Sequence, residues 1–492
     1  MSRIACVYSV QRYVTPESPL VGWQEFPFGL GLIAACLERA GHDVRLWVIC
    51  PGTRLDRVAN EIVHEFGCDL LAVTAVTTQF PIIARLCEQV KRVRPSVTTL
   101  LGGHYASLAP EEAIASPWID AICIGEGEKA AVAFADVLDR NRRPAAIPGV
   151  WIKLPGERQI DRTPPDPFET ELDDLPFLNR RKWEPWVSSS NEKFAIVIGR
   201  GCPFGCGYCS NSGIKSTTTG TYVRFRSPEN IIAELTRLVN DFPETNTVYL
   251  EVETIGAVPG FAVRLCEQLA EFNDRRAKPI EFGTNLAVTG RLADNADAMH
   301  ALFSAFQRAN LTTLNIGLES GSERIRKSIL NRPRYTNDQL IGFCKLARRY
   351  GIKIGLYLLI GLPSETIADY LETVAVAREC EPDRLHESIF YPYPGTDLFK
   401  LSADLKLFDP ARIDKTAERS RACLDLDGFP RWRIFFEYLF ITWRVFHGRR
   451  SIFLIGERIV YKMFSAMPAS MSLIYRLRTL HTKLRRRAVP TA

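Results

Sequence analysis

The sequence predicts an α/β protein with three parts: an N-terminal doubly wound, Rossmann-like domain, a central (β/α)6 partial barrel and a C-terminal helical region. Short apolar runs alternate with amphipathic segments twice along the chain, a proline-rich stretch separates the two alternations, and strand-like runs stop after about residue 410. A chain of 492 residues is long enough for about three domains. We expect the bounds 1–145, a linker at 146–190, 191–410 and 411–492.

The first 145 residues have the pattern of a parallel sheet covered by helices on both faces. Apolar runs such as IACVYSV and DLLAVTAV alternate with helical segments, one of which ends at Gly41, a residue type favoured just after a helix. In such sheets ligands bind at the carboxyl ends of the strands, where the loops 74–79, 102–104 and 125–128 fall.

The composition, 46% hydrophobic and 24% charged, is that of a globular protein. The longest apolar runs fall short of the roughly 18 residues that a spanning helix needs, and the N-terminal run is too short for a signal peptide. Ten of the thirteen cysteines stand singly, which is typical of free thiols rather than of a disulfide framework. We therefore expect a cytoplasmic protein.

The other three cysteines lie in the stretch RGCPFGCGYCSN, residues 200–211. Cys202, Cys206 and Cys209 have the spacing C-x3-C-x2-C, directly after a predicted strand. A [4Fe–4S] cluster takes four ligands, so three cysteines leave one iron open to another molecule. Zinc is the alternative, but a closed zinc site needs a fourth Cys or His, and no histidine lies between His104 and His300.

This motif after the first strand of a βα barrel resembles that of the radical S-adenosylmethionine (SAM) superfamily. The resemblance covers about residues 190–400 and implies that the open iron binds the amino and carboxylate groups of SAM. It also implies that reduction of the cluster cleaves SAM to a 5′-deoxyadenosyl radical. Tyr208 stands at the aromatic position that the family places against adenine.

Later strand ends resemble the family's SAM-binding motifs in the same order. They are YLEVE, GTNL with Thr284, NIGLESGSE, LIGLP and YPYPGT. The Gly-Gly-Glu form of the second motif is absent, so which of the two glutamates meets the SAM ammonium stays open. The resemblance implies that SAM contacts come from Tyr208, Glu251, Glu253, Asn285, Glu319, Ser320, Gly361 and Pro363.

The N-terminal segments PFGLGLIAACLERAGHDV, TAVTTQFPIIARL, LLGGHYASLAPEEAI and ICIGEGE resemble the cobalamin-binding domain that precedes the barrel in one radical SAM subgroup. The glycines let the backbone approach a large flat ligand closely. The cobalt-ligating Asp-x-His-x-x-Gly signature is absent, so the lower axial ligand cannot be named, and a domain that has lost its corrinoid is the alternative. The expected cobalamin contacts are Thr74, Thr77, Gln79, Gly102, Gly103, His104, Gly125 and Glu126, with Thr78 as a further polar neighbour.

The C-terminal region combines aromatic and basic residues. From Arg431 to Ala492 there are thirteen Lys and Arg residues against two acids, Glu437 and Glu457, a net charge of +11. A helical cap on the barrel, a contact with an anionic membrane and a contact with nucleic acid all fit this pattern. The aromatic side chains favour a peripheral contact with the inner face of a membrane over nucleic acid, and we expect no nucleic-acid partner.

The resemblance implies a cobalamin-dependent radical SAM methyltransferase acting on an unactivated carbon of a small-molecule or lipid-like substrate. Its cofactors would be a [4Fe–4S] cluster, SAM and cobalamin, and its electron donor a reductant such as flavodoxin or ferredoxin. The alternatives are a non-methylating cyclase, oxidoreductase or rearrangement enzyme of the same architecture, and a non-catalytic corrinoid or membrane-surface protein. The sequence names neither the substrate nor a catalytic acid or base.

Overall fold

Two sheets of mainly parallel strands organise the protein. The computed structural model describes residues 1–11, 15–139, 146–153, 159–415 and 418–465. The strands are β1 (Arg3–Ser9), β2 (Asp43–Ile49), β3 (Leu70–Thr74), β4 (Thr98–Gly102), β5 (Ala121–Cys123), β6 (Val150–Lys153), β7 (Ile160–Arg162), β8 (Lys193–Val197), β9 (Gly199–Arg200), β10 (Arg224–Phe225), β11 (Thr247–Glu251), β12 (Glu281–Asn285), β13 (Leu311–Glu319), β14 (Lys353–Ile360) and β15 (Arg384–Ile389).

Helices connect these strands. They are α1 (Phe28–Arg39), α2 (Leu55–Asn60, continued by a π-helical turn at Glu61–Glu65), α3 (Phe80–Val93), α4 (His104–Leu108), α5 (Pro110–Ala115), α6 (Glu128–Asp139), α7 (Ser210–Lys215), α8 (Pro228–Asp241), α9 (Phe261–Asp274), α10 (Gly290–Ala293), α11 (Ala296–Arg308), α12 (Glu323–Ser328), α13 (Asn337–Arg349), α14 (Ile367–Glu379), α15 (Asp397–Asp404), α16 (Arg431–Phe446) and α17 (Ile452–Ser465). Short 3-10 helices lie at Trp23–Glu25, Leu172–Asp174, Arg180–Trp186, Ile255–Ala257 and Pro410–Arg412.

The N-terminal sheet has the order β2-β1-β3-β4-β5-β6-β7. Its first five strands are parallel, which confirms the predicted doubly wound domain. Gly41 has a φ of +88° directly after α1, as expected of the residue that ends a helix. The antiparallel strands β6 and β7 extend this sheet. They lie within the stretch predicted as the linker 146–190, so the sheet continues beyond residue 145.

Alternate residues of β1 enter two different cores. Ile4 and Cys6 face the core that continues into the barrel, whereas Ala5 and Val7 face the core beneath α3. A strand that is buried on both faces is apolar throughout, which is why its sequence does not alternate with polar residues. This burial fixes the orientation of the strand ends and of the loops that follow them.

The second sheet consists of six parallel strands in the order β8-β11-β12-β13-β14-β15, which confirms the predicted partial barrel. Several of its helices begin at residues that cap free backbone N–H groups. Thr336 and Thr366 each form a reciprocal capping box, with Gln339 and Asp369 respectively. These caps fix the residue at which each helix begins and therefore the position of the loop that precedes it.

An aromatic cluster joins the two sheets. Trp23 stacks on Phe194 of β8 with ring centroids 5.1 Å apart, and Phe26 packs edge-on against Trp183 at 4.9 Å. Trp23 and Trp183 are at most 2% exposed, so both rings are part of the continuous core. The contact holds the N-terminal domain and the barrel side by side.

The C-terminal helix α16 packs against α14 and β15. Ile434, Tyr438, Ile441 and Val445 form its buried stripe at helical spacing. This confirms a helical region after the barrel, and residues 466–492, including the basic KLRRR stretch, lie outside the described ranges. Among the described residues, no helix combines the length and the apolar character that a membrane crossing requires.

Candidate functional site

A cavity of about 1040 Å³ lies between the N-terminal domain and the barrel. Its walls are the loops after β3, β4 and β5 on one side and the carboxyl ends of the barrel strands on the other. Carboxyl-end loops of parallel sheets are the usual ligand sites of both folds. The two regions that the sequence predicts to bind ligands therefore face one shared space.

The cysteine motif forms a loop on the barrel side of this cavity. Cys202, Cys206 and Cys209 all line it, and Cys206 is the most buried of the three. Gly201, with a φ of +85°, starts the loop, and a Cβ here would stand 2.1 Å from the carbonyl oxygen of Tyr222. Only glycine fits at this point, which explains its place directly before the first cysteine.

Polar side chains surround the cysteine sulfurs. The guanidinium of Arg332 lies 3.9 Å from Cys206 Sγ, and the amide of Asn211 donates to Cys209 Sγ at 3.7 Å. Burial raises the pKa of the Cys202 thiol to about 11, so metal binding must displace the proton of a group that is otherwise a thiol. Donors of this kind are the groups that tune iron–sulfur centres through their sulfurs.

The loop fits a cubane cluster. Among the described residues, no three His, Cys, Asp or Glu side chains converge as the ligands of a single ion do. In a cubane each cysteine binds a separate iron, so the sulfurs surround a body instead of converging on a point. Three cysteines on one loop at the wall of a large cavity would hold such a cluster and would leave one of its irons open to a ligand.

Beside the loop, Tyr208, Glu319 and Arg332 form a buried network. Tyr208 donates to Glu319 Oε1 at 3.0 Å, and Arg332 Nη1 lies 3.2 Å from the Tyr208 hydroxyl. Burial raises the pKa of Glu319, and the Arg332 charge partly opposes that rise. Glu319 has a φ of +62° where the β13–β14 register shifts, an irregularity of the kind that turns a side chain toward a site. Arg332 also has a buried Nε without a partner among the described residues.

Two further predicted carboxylates, Glu251 and Glu253, line the cavity at the end of β11. Burial, with the neighbouring charge of Glu253, raises the pKa of Glu251 to about 7. Burial also raises the pKa of Glu253, although Asn211 and backbone N–H groups hydrogen-bond to it. Glu251 is thus the less well satisfied of the two, and a cationic group in the cavity would stabilise its charged form.

A chain of hydrogen bonds crosses the floor of the barrel. Tyr249 donates to Asn285 Oδ1 at 2.6 Å, and Asn315 Nδ2 donates to the Tyr249 hydroxyl at 2.7 Å. Asn315 is 8% exposed, and its buried Oδ1 has no partner among the described residues. The chain positions the predicted residue Asn285 and leaves one acceptor for a ligand.

Three predicted SAM contacts, Ser320, Gly361 and Pro363, do not line the cavity, and their role stays a prediction. Ser320 is fully buried, and its hydroxyl lies 3.3 Å from that of Thr373 on α14. Gly361 packs against α16, because a Cβ there would stand 3.1 Å from Ile434. Pro363 is absent from the lining residues as well. From the fourth-strand motif, the residues that line the cavity are Asn315, Gly317 and Glu319.

The glycine loops of the N-terminal domain fit the edge of a broad ligand. Gly102 lines the cavity, and a Cβ there would have no neighbour within 4 Å. Gly103, by contrast, has a φ of +91°, and a Cβ there would stand 2.5 Å from Thr74 Oγ1. Gly102 thus leaves space on the cavity side, whereas Gly103 allows the loop to pack on β3.

The other predicted cobalamin contacts divide into two groups. Thr74, Gly125 and His104 line the cavity, and desolvation by the surrounding protein lowers the pKa of His104. Gln79 lines it too, but its amide is used within the protein, donating to the Ser9 carbonyl at 2.6 Å and accepting from the Val76 N–H. Thr77 is buried and is not a lining residue, and its contact with cobalamin stays a prediction. Its neighbour Thr78 donates to Glu418 at 2.6 Å.

Glu126, also predicted as a cobalamin contact, forms an ion-pair bridge between the domains. Its carboxylate accepts from Arg200 at 2.8 Å and from both terminal nitrogens of Arg224 at 2.9 Å. Arg200 also pairs with Glu128 at 2.5 Å. Arg200 lies two residues before Cys202, so this bridge fastens the loop after β5 directly to the cysteine loop. Glu126 also lines the cavity, so its corrinoid contact stays a prediction.

Comparison with known protein families agrees with this geometry. Residues 196–377 match the Radical SAM superfamily, and residues 21–135 match the B12 binding domain. The first match contains the cysteine loop and most of the barrel strands. The second contains the glycine loops that face it.

Individual proteins align with most of the chain. The anaerobic magnesium-protoporphyrin IX monomethyl ester cyclase of Rubrivivax gelatinosus is 28% identical over 393 residues, 78% of this chain and 67% of that protein. The hopanoid C-3 methylase of Methylococcus capsulatus is 24% identical over 419 residues, 80% of this chain and 73% of that protein. The structure of the methyltransferase TsrM from Kitasatospora setae, with cobalamin and a [4Fe–4S] cluster bound, superposes with a TM-score of 0.65. It is 16% identical and covers 82% of this chain and 75% of its own, so it supports the fold alone.

Proposed function

We propose that this chain, which belongs to the radical SAM superfamily and carries an N-terminal B12-binding domain, is a cobalamin-dependent methyltransferase. The observation that carries the proposal is the single cavity that brings the cysteine loop and the glycine loops face to face. Methyl transfer through a corrinoid requires SAM, substrate and corrinoid to meet in one space. A cavity of about 1040 Å³ walled by both domains offers that space.

In this proposal each wall has a distinct task. Cys202, Cys206 and Cys209 hold the [4Fe–4S] cluster, and the loops at Gly102 and Gly125 accept the corrinoid. When bound, the cluster and SAM supply a 5′-deoxyadenosyl radical, and the corrinoid supplies a methyl group. The protein contributes binding, orientation and exclusion of water.

The charged residues near the cysteine loop suit the polar groups of SAM. Arg332, buried beside Cys206, has an Nε without a partner among the described residues and suits the SAM carboxylate. Glu253 and Glu251 suit the ammonium group, because burial raises the pKa of both carboxyls and a cationic ligand would favour their charged forms. In this proposal Tyr208, held by its hydrogen bond to Glu319, packs against the adenosyl group.

The substrate we propose is a small or lipid-like molecule. One wall of the cavity is apolar, formed by Phe28, Leu32 and Ile33 of α1. The opposite floor carries the acceptor of Asn315. A molecule with an apolar body and one polar group fits both walls. A lipid-like substrate would be taken up at a membrane, and an electron donor such as flavodoxin or ferredoxin would reduce the cluster.

A second reaction class is favoured by one observation. The Rubrivivax gelatinosus relative, which aligns over 78% of this chain, is a cyclase rather than a methylase. A ring-forming or oxidising reaction would use the same radical chemistry without net transfer of the methyl group. The alternative therefore predicts different products from SAM.

Product analysis separates the two functions. Anaerobically purified, reconstituted protein is incubated with SAM, hydroxocobalamin and dithionite, and the products are measured by mass spectrometry. Methyl transfer predicts S-adenosylhomocysteine beside 5′-deoxyadenosine, whereas 5′-deoxyadenosine alone supports the cyclase-like function. A Cys202→Ala, Cys206→Ala, Cys209→Ala variant is the control and should form no 5′-deoxyadenosine.

A further inference from the structure

Among the described residues, the exposed apolar surface is concentrated on helices α16 and α17. Twelve large hydrophobic side chains are exposed in the described part of the chain, and eight of them belong to α16 and α17. They are Trp432, Phe436, Trp443, Ile452, Phe453, Leu454, Val460 and Met463. Apolar clusters of this kind commonly mark interaction sites.

Helix α17 has one buried face and one exposed apolar face. Ile455 is 2% exposed, and Lys462, one heptad later, donates to the Tyr438 carbonyl of α16, so this face is turned inward. Phe453 and Val460 are also one heptad apart and are 89% and 50% exposed. At about 100° per residue they lie on the opposite side of the helix. We call Ile452, Phe453, Leu454, Val460 and Met463 the α17 outer face.

The basic residues of the C-terminal region differ in whether acidic residues or other partners balance them. Each of the seven basic side chains between 431 and 465 has a partner within the protein. Examples are the Arg444–Glu437 pair at 2.5 Å and the Lys462–Glu387 pair at 2.5 Å. The next 27 residues, 466–492, carry six Lys and Arg residues and no acid. The excess positive charge of the C-terminal region therefore follows directly after the α17 outer face in the chain.

We propose that the α17 outer face docks on an anionic lipid bilayer. Aliphatic and aromatic side chains followed by unbalanced positive charge are the two components of peripheral membrane binding. A second copy of the chain is a poorer occupant, because a two-fold interface at this face would bring two segments of charge +6 together. This contact would bring the protein to a lipid-like substrate, and that link rests on the proposed function. The binding of α17 to lipid does not depend on it.

Vesicle flotation of the full-length protein tests this proposal without SAM or corrinoid, so its outcome is independent of methyl transfer. The vesicles contain phosphatidylcholine alone or phosphatidylcholine with phosphatidylglycerol. We expect stronger flotation with phosphatidylglycerol and a decrease at high salt, since the Debye length is about 10 Å at 0.1 M and about 3 Å at 1 M. Equal flotation with both lipids, or none, overturns the proposal.

Two exposed leucines elsewhere provide a matched control. Phe453→Glu with Val460→Glu should weaken binding at least about tenfold, because it removes two apolar side chains from the lipid contact. Leu371→Glu with Leu405→Glu, at positions 44% and 49% exposed, should leave binding unchanged. Equal loss in both variants overturns the assignment of the face.

The other occupants predict different results. If a second copy covers the face, sedimentation without lipid shows a dimer that Phe453→Glu dissociates. If residues 466–492 cover it, a chain ending at Ser465 floats better with neutral vesicles than the full chain does. Our proposal predicts a monomer at this face, and it predicts that the shortened chain loses its preference for phosphatidylglycerol.

Discussion

Replacement of Gly102 by leucine tests whether this residue contacts the corrinoid or is needed only for the stability of the protein. Gly102 lines the cavity, and a Cβ there has no neighbour within 4 Å, so the protein itself should accept a side chain. A leucine would occupy space that the corrinoid needs. Overfilling a packed contact costs about 1–3 kcal/mol, which corresponds to a rise of about 5- to 150-fold in the dissociation constant for hydroxocobalamin.

The neighbouring glycine provides the control. Gly103→Ala should destabilise the protein without any ligand, because its φ is +91° and its Cβ would stand 2.9 Å from the Ala75 carbonyl oxygen. With a φ of +91° and a ψ of −173°, Gly103 has a backbone conformation that is essentially restricted to glycine and costs on the order of 1–3 kcal/mol for another residue. Urea unfolding without ligand should therefore show a loss for Gly103→Ala and a change within about 0.5 kcal/mol for Gly102→Leu.

The assay is a titration of full-length protein with hydroxocobalamin, followed by absorbance, beside urea unfolding of the same variants. Weak corrinoid binding with normal stability in Gly102→Leu supports a direct contact. Unchanged corrinoid affinity in that variant would refute the placement of the ligand against the loop after β4.

Three further perturbations test the interdomain bridge, a buried carboxyl and the histidine of the glycine loop. Glu126→Gln should reduce the free energy of urea unfolding by about 3 kcal/mol, since it leaves the 5% exposed Arg224 without a counter-charge. The exposed pair Lys415–Glu112 is the control, and Glu112→Gln should cost at most about 1 kcal/mol; equal losses would contradict the bridge. The raised pKa of Glu251, about 7, means that the folded protein holds this proton more tightly than the unfolded chain does. Its contribution to stability is therefore present at low pH and is lost as pH rises through about 7. Relative to Glu251→Gln, the ligand-free protein should lose on the order of 2 kcal/mol between pH 5.5 and pH 8, measured by urea unfolding; a parallel pH dependence of the two proteins would contradict the burial of this carboxyl. His104→Ala should leave hydroxocobalamin affinity largely unchanged in the same titration, and a strong loss would identify His104 as an axial ligand of cobalt.

The sequence predicts the parts of the site that are encoded locally. The spacing of Cys202, Cys206 and Cys209 is a pattern within eight residues, and the loops after β4 and β5 follow recognisable strands. Both lie in the expected places because parallel sheets bring all carboxyl strand ends to one edge. The six-stranded barrel and the doubly wound domain were predictable for the same reason.

The residues that sequence reasoning missed depend on contacts between distant segments. Arg332 reaches Cys206 across 126 positions, and Arg200 reaches Glu126 across 74. Arginines in loops carry no local signal that distinguishes such partners from exposed charges. Asn315 lies within a predicted strand, but only the register with its neighbours shows that its amide faces the barrel floor.

Side chains at other predicted positions have partners that only the structure shows. Ser320 and Gly361 pack against α14 and α16 respectively, and neither lines the cavity. Glu126 lines the cavity and also pairs with two arginines of the barrel part of the chain. Side-chain direction at a strand end is decided by neighbours that the local sequence does not contain.

The proposed function depends above all on the binding of a [4Fe–4S] cluster by Cys202, Cys206 and Cys209 at the cavity wall. Iron content and thiolate-to-iron absorbance after anaerobic reconstitution test it most directly. The unmodified protein and Cys266→Ala, which changes a cysteine buried on α9, should each bind about four iron atoms per chain. Replacing the three loop cysteines together with alanine should remove both the iron and the absorbance. Full iron content in that triple variant would contradict the account.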